Sequence, residues 1–146
     1  MRKVVFSRET NTVSRHQIQA GEYRSLNLQA AHDLLPMVRK ITQQASRELG
    51  PIQRRLNSMV PADPRNAYVK FTYERIVKNW AGKIERLGLK VHGLWQVGFD
   101  GGIGWYGWQY PERSIRYFLE YDALFTERNL IRHHQHIEGR NRLLRK

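Results

Sequence analysis

The apolar residues in the first half of the chain recur at steps of three and four, which is the period of one face of an α-helix. This stripe predicts one long helix over about residues 28–60, with Asn27 as the residue that caps its start. Pro36 and the pair Gly50-Pro51 fall inside the stripe without changing its phase, so they predict kinks rather than a break. The stripe consists of Ala31, Leu35, Val38, Ile41, Ala45, Leu49, Ile52, Leu56 and Met59.

A second stripe with the same period follows a proline-rich turn at residues 61–64. Pro61 and Pro64 prevent one helix from running through this turn. The second stripe predicts a helix over about residues 65–90, with Gly88 as a stop signal near its end. Because the connection is so short, the two helices should form an antiparallel hairpin. The stripe consists of Val69, Tyr73, Ile76, Trp80, Ile84, Leu87 and Val91.

Beyond residue 91 the apolar pattern changes to a period of two, which is typical of β-strands. Strands are predicted at residues 94–99, 103–110 and 114–121, with turns at 100–102 and 111–113. Such a small meander is rarely stable alone, so the helix hairpin should cover one face. The predicted fold class is α+β, with a long antiparallel helix hairpin packed on a three-stranded antiparallel β-meander. We assign residues 1–24 to a basic N-terminal arm, 25–124 to a single core domain and 125–146 to a basic C-terminal tail.

Composition limits the classes of protein to which this chain can belong. With 146 residues, of which 40% are hydrophobic, it suits one domain with a core. The absence of cysteine excludes a disulfide scaffold, a thiolate metal site and a cysteine nucleophile. No stretch approaches the roughly 20 apolar residues of a membrane helix, and no hydrophobic run follows the basic N-terminus as in a signal peptide. We therefore expect a cytoplasmic protein of a prokaryote or phage.

The net charge of +12 is concentrated at the two ends and on the second predicted helix. Residues 1–24 carry a net charge of +3, and residues 125–146 carry +4. Basic residues often serve only to solvate a surface, but this segregation favours contact with a phosphate backbone, and RNA is preferred as the partner. The candidate contacts are Arg75, Lys78, Arg86 and Lys90 on one helical face and Arg132, Arg140, Arg142, Arg145 and Lys146 in the tail.

Three carboxylates in the sheet region are weaker candidates for catalysis. Glu112, Glu120 and Asp122 could act as acid–base groups or oxygen ligands. Arginines lie close to them in sequence, however, so salt bridges that hold the meander are favoured over catalysis. For Glu120 we expect at least partial burial and a bond to Arg116, to Arg128 or to backbone amides.

A histidine pair in the tail is the only spacing typical of a metal site. His133 and His136 lie three residues apart, so a helix would place both near one ion. No further ligand type is clustered beside them, which favours a solvated tail over a metal site. The chain has no phosphate-binding or hydrolase motif, and we expect no cofactor.

Aromatic residues are frequent in the predicted sheet and have two interpretations. Exposed rings beside arginines would stack on bases, as in proteins that bind single strands. Strand alternation, however, buries one face against the hairpin, so either Tyr106, Trp108 and Tyr110 or the opposite set should belong to the core. The rings in question are Trp95, Trp105, Tyr106, Trp108, Tyr110, Tyr117 and Tyr121.

The helix and sheet regions carry a pattern that resembles a prokaryotic family, the one catalogued as domain of unknown function 2203. The resemblance is loose over residues 28–60, which include the run 34–39, and closer over residues 92–131. The chain departs from the family at residues 96–98, where the pattern has Asp-Phe-Pro, at Gly107, where it has cysteine, and at Leu119, where it has histidine. The resemblance implies an architecture and no function. The matching residues are Gly93, Leu94, Asp100, Gly101, Tyr106, Trp108, Glu112, Ile115, Tyr117, Glu120, Asp122, Phe125 and Arg128.

These observations favour an accessory protein that binds RNA or a ribonucleoprotein surface, such as that of the ribosome, through its basic helix and tails. One alternative is an interaction or assembly module that uses the helix hairpin to pair with itself or with another chain. A third is an enzyme that uses the sheet carboxylates.

Overall fold

This computed structural model describes residues 26–131. They fold into two helices and a five-stranded antiparallel sheet. Helix α1 comprises Leu28–Ser58 and helix α2 comprises Asn66–Arg86. The strands are β1 (Lys90–Gly93), β2 (Gln96–Asp100), β3 (Trp105–Gln109), β4 (Tyr117–Leu119) and β5 (Asn129–Leu130), in that order across the sheet. The predicted α+β class is confirmed, and the sheet gains one strand at each edge.

Helix α1 is one continuous helix of 31 residues, as the unbroken phase of its stripe predicts. The Asn27 side chain accepts a hydrogen bond of 2.7 Å from the backbone N–H of Ala30, which confirms the predicted cap. Pro36 and Pro51 both lie inside the helix. The buried face of α1 consists of Ala31, Leu35, Val38, Thr42, Ala45 and Leu49.

Helix α2 ends at Arg86, four residues before the predicted end. Gly88 has a φ of 85°, a left-handed conformation that costs glycine little and that stops the helix. The chain then turns into β1, whose Val91 pairs with Val97 of β2. Val91 therefore belongs to the sheet and not to the helical stripe in which the sequence places it.

The two helices are held together by a hydrogen bond in the core. The indole Nε1 of Trp80 in α2 donates to the Thr42 hydroxyl oxygen in α1 at 2.9 Å, and both residues are buried. Thr42 and Trp80 lie at similar sequence distances from the connecting turn, as expected for antiparallel helices. The same indole packs edge to face against Trp95, with ring centroids 4.9 Å apart. Trp80 therefore links α1 and α2 to the turn between β1 and β2.

Trp95 adopts a conformation that only a few per cent of non-glycine residues adopt. Its φ is 63°, in the left-handed region, which costs of order 1 kcal/mol or more. The packing on Trp80 and a 3.0 Å hydrogen bond from the Tyr110 N–H to the Trp95 carbonyl oxygen hold it there. The contact with Trp80 offsets this cost and fixes the position of the hairpin under the helices.

One face of the sheet packs against the helices and is strongly aromatic. Tyr106 pairs across the sheet with Phe99 on one side and with Phe118 on the other, while Trp108 pairs with Val97. All five side chains are buried, so Tyr106 and Trp108 belong to the core. Trp105 lies on the opposite face, where it is half-buried.

The edge strands β1 and β5 were not predicted as strands. Strand β1 overlaps the end of the second apolar stripe, which is why the sequence pattern assigns Lys90 and Val91 to the helix. Strand β5 has only two residues, Asn129 and Leu130, which pair with Phe118 and Tyr117. Residues 125–131, assigned above to the tail, therefore contribute a 3₁₀ turn at Phe125–Glu127 and the last strand of the sheet.

Replacing Thr42 by valine should lower the free energy of unfolding by about 1–3 kcal/mol, because the buried Trp80 N–H then has no acceptor. Denaturant unfolding followed by tryptophan fluorescence measures the change. Thr42→Ser, which keeps the hydroxyl, should retain more stability than Thr42→Val. Equal stability of the valine and wild-type proteins would mean that this hydrogen bond does not stabilise the hairpin.

Candidate functional site

The outer face of α2, which points away from α1 and the sheet, carries a row of basic residues. Arg75, Lys78 and Arg86 are exposed and recur at helical spacing. Lys90 is exposed too, but it lies in β1. The prediction that all four basic residues share one helical face is therefore wrong for Lys90. Three of the predicted contacts therefore share one helical face, and Lys90 lies beyond the end of that helix.

Two aromatic residues extend the same row toward the start of α2. Tyr68 is 70% exposed and Phe71 is 60% exposed, and they precede Arg75 by seven and four residues. The aromatic residues predicted as candidates for stacking all lie in the sheet and do not include these two. Their positions in the sequence do indicate that they lie on the basic face, since both fall outside the apolar stripe of α2 and in phase with the basic residues. We use the name "outer row of α2" for the set of Tyr68, Phe71, Arg75, Lys78, Gly82 and Arg86.

The two carboxylates of α2, Glu74 and Glu85, are exposed and border the outer row on one side. Glu74 lies one turn before Lys78 and Glu85 lies two turns after it. Arg65 pairs with Asp63 at 2.8 Å, and Arg128 pairs with Glu112 at 3.1 Å. Neither pair involves a cation of the outer row, so these side chains are available for an external anion.

The face of the sheet that points away from the helices has a different construction, because two paired glycines open its centre. Gly98 in β2 pairs with Gly107 in β3. The space above Gly98 holds the imidazole of His92, and the space above Gly107 holds parts of Arg128, Leu119 and Phe125. A Cβ atom on Gly107 would lie 2.9 Å from both Arg128 Cδ and Leu119 Cδ2, so a side chain there would displace them.

Arg128 joins the end of the sheet to the β3–β4 connection. Its guanidinium forms a two-pronged contact with the Glu112 carboxylate, at 3.1 Å for each oxygen, and also donates to the Gly107 carbonyl oxygen at 3.1 Å. The guanidinium carbon lies 4.3 Å from the Tyr117 ring centroid and 4.6 Å from that of Phe125. Glu112 also accepts a hydrogen bond of 2.9 Å from the Gln109 N–H. We call Glu112, Tyr117, Phe125 and Arg128 the arginine clamp.

Of the three carboxylates that are candidates for catalysis, one belongs to the arginine clamp and two do not. Glu112 is engaged with Arg128, whereas Glu120 and Asp122 are exposed in the segment after β4. Glu120 is exposed, so the expected partial burial is wrong, and Arg128 pairs with Glu112. The expected bond of Glu120 to an arginine or to backbone amides stays a prediction. Residues 26–131 contain no group of three or more His, Cys, Asp or Glu side chains that could hold a metal ion.

His92 is a further titratable group, and no motif or spacing in the sequence singles it out. It packs edge to face against Trp105 and tilted against Phe125, with ring centroids 5.4 and 5.3 Å away. Its Nε2 atom is buried and has no hydrogen-bond partner within the described part of the chain. Burial lowers the pKa of His92 from 6.5 to about 4, and the nearby charge of Lys90 contributes in the same direction. The imidazole is therefore neutral at neutral pH.

The remaining predicted site residues lie outside the described residues. These are the basic residues Arg132, Arg140, Arg142, Arg145 and Lys146 and the histidines His133 and His136. Within residues 26–131, neither helix is long and apolar enough to cross a membrane.

A comparison with protein-family models matches residues 24–131 to a family described as an uncharacterized conserved protein (DUF2203). The chain belongs to this family. No curated protein and no solved structure matches it. The structure gives the DUF2203 pattern a physical meaning, because Glu112, Tyr117, Phe125 and Arg128 of that pattern form the arginine clamp. The two departures Gly107 and Leu119 are neighbours on the same face of the sheet, since Leu119 lies beside the space above Gly107.

Replacing Arg128 by methionine should lower the free energy of unfolding by about 2 kcal/mol, because it leaves the Glu112 carboxylate without its partner. The side chains are 17% and 27% exposed, so the effect should lie between the limit of about 1 kcal/mol for an exposed pair and that of about 3–5 kcal/mol for a buried one. Adding Glu112→Gln should recover part of the loss. Arg113→Met, at an exposed position, is the control and should change stability little. Full stability of Arg128→Met would contradict the clamp.

The pKa of His92 predicts how stability depends on pH. Because the folded pKa of about 4 is below the ordinary value of 6.5, the unfolded chain binds the proton more readily. The contribution of His92 is therefore fully present above pH 6.5 and is lost as the pH falls toward 4. Stability measured across this range should fall less steeply for His92→Gln than for the wild type. Identical pH profiles would exclude a neutral, buried His92.

Proposed function

We propose that this DUF2203 protein is an accessory protein that binds RNA, alone or on a ribonucleoprotein surface, through the outer row of α2. The observation that carries the proposal is the division of α2 into two faces. Its inner residues Ile76, Trp80 and Ile84 are 7%, 1% and 0% exposed, and its outer row presents the exposed cations Arg75, Lys78 and Arg86, with Glu74 and Glu85 along one side. A helix face of this kind is complementary to a line of phosphates.

The charge of the chain supports contact with a polyanion. Residues 26–131 carry a net charge of +5, and the remaining +7 lies in the two end segments. Contacts from arginine and lysine to phosphates are independent of sequence, so affinity without base preference is the expected mode of binding through these cations. The basic residues of the C-terminal segment would add to the same electrostatic attraction.

The assembly alternative receives less support from the packing. Association through the stripe of Ile76, Trp80 and Ile84 would need these side chains to be exposed in one chain, but they are buried against its own core. The enzyme alternative needs its carboxylates in one place. Glu112 is instead held by Arg128, while Glu120 and Asp122 are exposed after β4.

Charge reversal on the outer row should weaken RNA binding. For Arg75→Glu/Lys78→Glu we expect lower affinity for a short RNA oligonucleotide and a shallower dependence of affinity on salt. Two lost contacts to a single strand should reduce the slope of log K against log salt concentration by about 1.4. Fluorescence anisotropy over a series of salt concentrations measures both quantities, and unchanged thermal unfolding would establish that the variant is folded.

The matched control is Arg113→Glu/Arg116→Glu, which changes the net charge by the same amount at two exposed positions of the β3–β4 connection. This control should retain most of the affinity, since its charges lie off the outer row. Equal losses in the two variants would mean that RNA responds to net charge alone. Affinity that does not change between low and high salt would contradict the proposed function.

A further inference from the structure

The two rings of the outer row lie beside its cations and not among the apolar core residues. One turn of helix separates Phe71 from Arg75, and Tyr68 lies one turn before Phe71. From the rise of an α-helix, the row from Tyr68 to Arg86 extends about 27 Å along α2. The rings thus occupy one end of the row, and the cations occupy the middle and the other end.

The rings are open to an incoming planar group. At 70% and 60% exposure, most of the surface of Tyr68 and Phe71 is accessible, and neither ring packs against another aromatic side chain in residues 26–131. Single exposed apolar residues are common on proteins and need no explanation. Two neighbouring rings in phase with a row of cations, however, combine the two elements with which single-stranded nucleic acid is bound, a positive track for phosphates and platforms for bases.

We propose that Tyr68 and Phe71 stack on unpaired bases, so that the outer row of α2 takes single-stranded RNA in preference to duplex RNA. This inference rests on the proposed function and specifies its ligand. Phosphates of the strand lie along Arg75, Lys78 and Arg86, and its bases turn toward the rings at the start of the helix. Charge complementarity favours this occupant over a second copy of this basic chain, which would bring like charges together.

Duplex RNA fits the row less well, because its bases are already stacked within the helix. Their faces are therefore not offered to a side chain, and the wide minor groove presents hydroxyls and base edges instead. A duplex can contact the cations of the row but cannot use the rings. The structure thus predicts that the rings contribute to binding only when unpaired bases are present.

The test is a comparison of three probes with the full-length protein: a short uridine oligonucleotide, an abasic strand of the same length, and a duplex of the same length. Phe71→Ala and Tyr68→Ala should each weaken binding of the uridine strand by about 5- to 140-fold, the range for loss of one stacked base. Binding of the abasic strand and of the duplex should not change. Phe71→Trp should restore stacking, and Phe71→Leu should not, because leucine keeps the apolar character without a π-face.

The outcomes separate the inference from the proposed function. If Arg75→Glu/Lys78→Glu weakens all three probes and the alanine variants bind every probe as the wild type does, RNA binding stands and stacking is wrong. If no probe binds the wild type, both are wrong. If an alanine variant converts a dimer into a monomer in light scattering, the rings form a self-association surface and stacking is overturned. Melting temperatures should match the wild type, since both rings are exposed.

Discussion

Trp80 is the side chain on which the arrangement of helices and sheet depends. Its indole N–H is bonded to Thr42 of α1, and its ring packs on Trp95 in the turn between β1 and β2. One buried residue of α2 thus fixes the partner helix and the sheet at once, and Trp95 is held in a left-handed conformation that it would otherwise rarely adopt. Because the apolar face of α2 is buried in this way, its outer row faces away from the core and is accessible to a partner. The location of the proposed interface is therefore a consequence of how the core is packed.

The two faces of the sheet are filled by different kinds of residue. The face toward the helices is filled by large rings, whereas the other face has glycines at its centre that make room for His92 and Arg128. Arg128 connects the 3₁₀ turn to Glu112 and lies between two aromatic rings, so it closes the sheet at the end of the described chain. This accounts physically for several residues of the DUF2203 pattern in this chain, which stabilise one clamp. It also explains why the carboxylates of that pattern do not come together as one site.

The sequence predicts those parts of the fold that depend on local periodicity. The stripe of α1, its Asn27 cap and the turn at residues 61–64 are enough to define the hairpin, because helix period and capping are local properties. Strand β5 could not be predicted, since its two residues are a strand only through pairing with β4. The choice between Glu112 and Glu120 as the partner of Arg128 likewise depends on a contact between distant segments. For the outer row, spacing identifies the cations and places Tyr68 and Phe71 in phase with them, whereas the exposed fraction of each ring is known only from the packed structure.

The most direct measurement of the central claim, that the outer row of α2 is the surface that meets RNA, is to map the contact itself. Ultraviolet crosslinking of the full-length protein to a bound uridine strand, followed by trypsin and mass spectrometry, identifies the peptides in contact. Trypsin cleaves after Arg65, Lys70 and Arg75, so Tyr68 and Phe71 fall in separate peptides, 66–70 and 71–75. We expect crosslinked nucleotides on both peptides. Crosslinks confined to peptides of the sheet or of α1, with these two peptides unmodified, would contradict it.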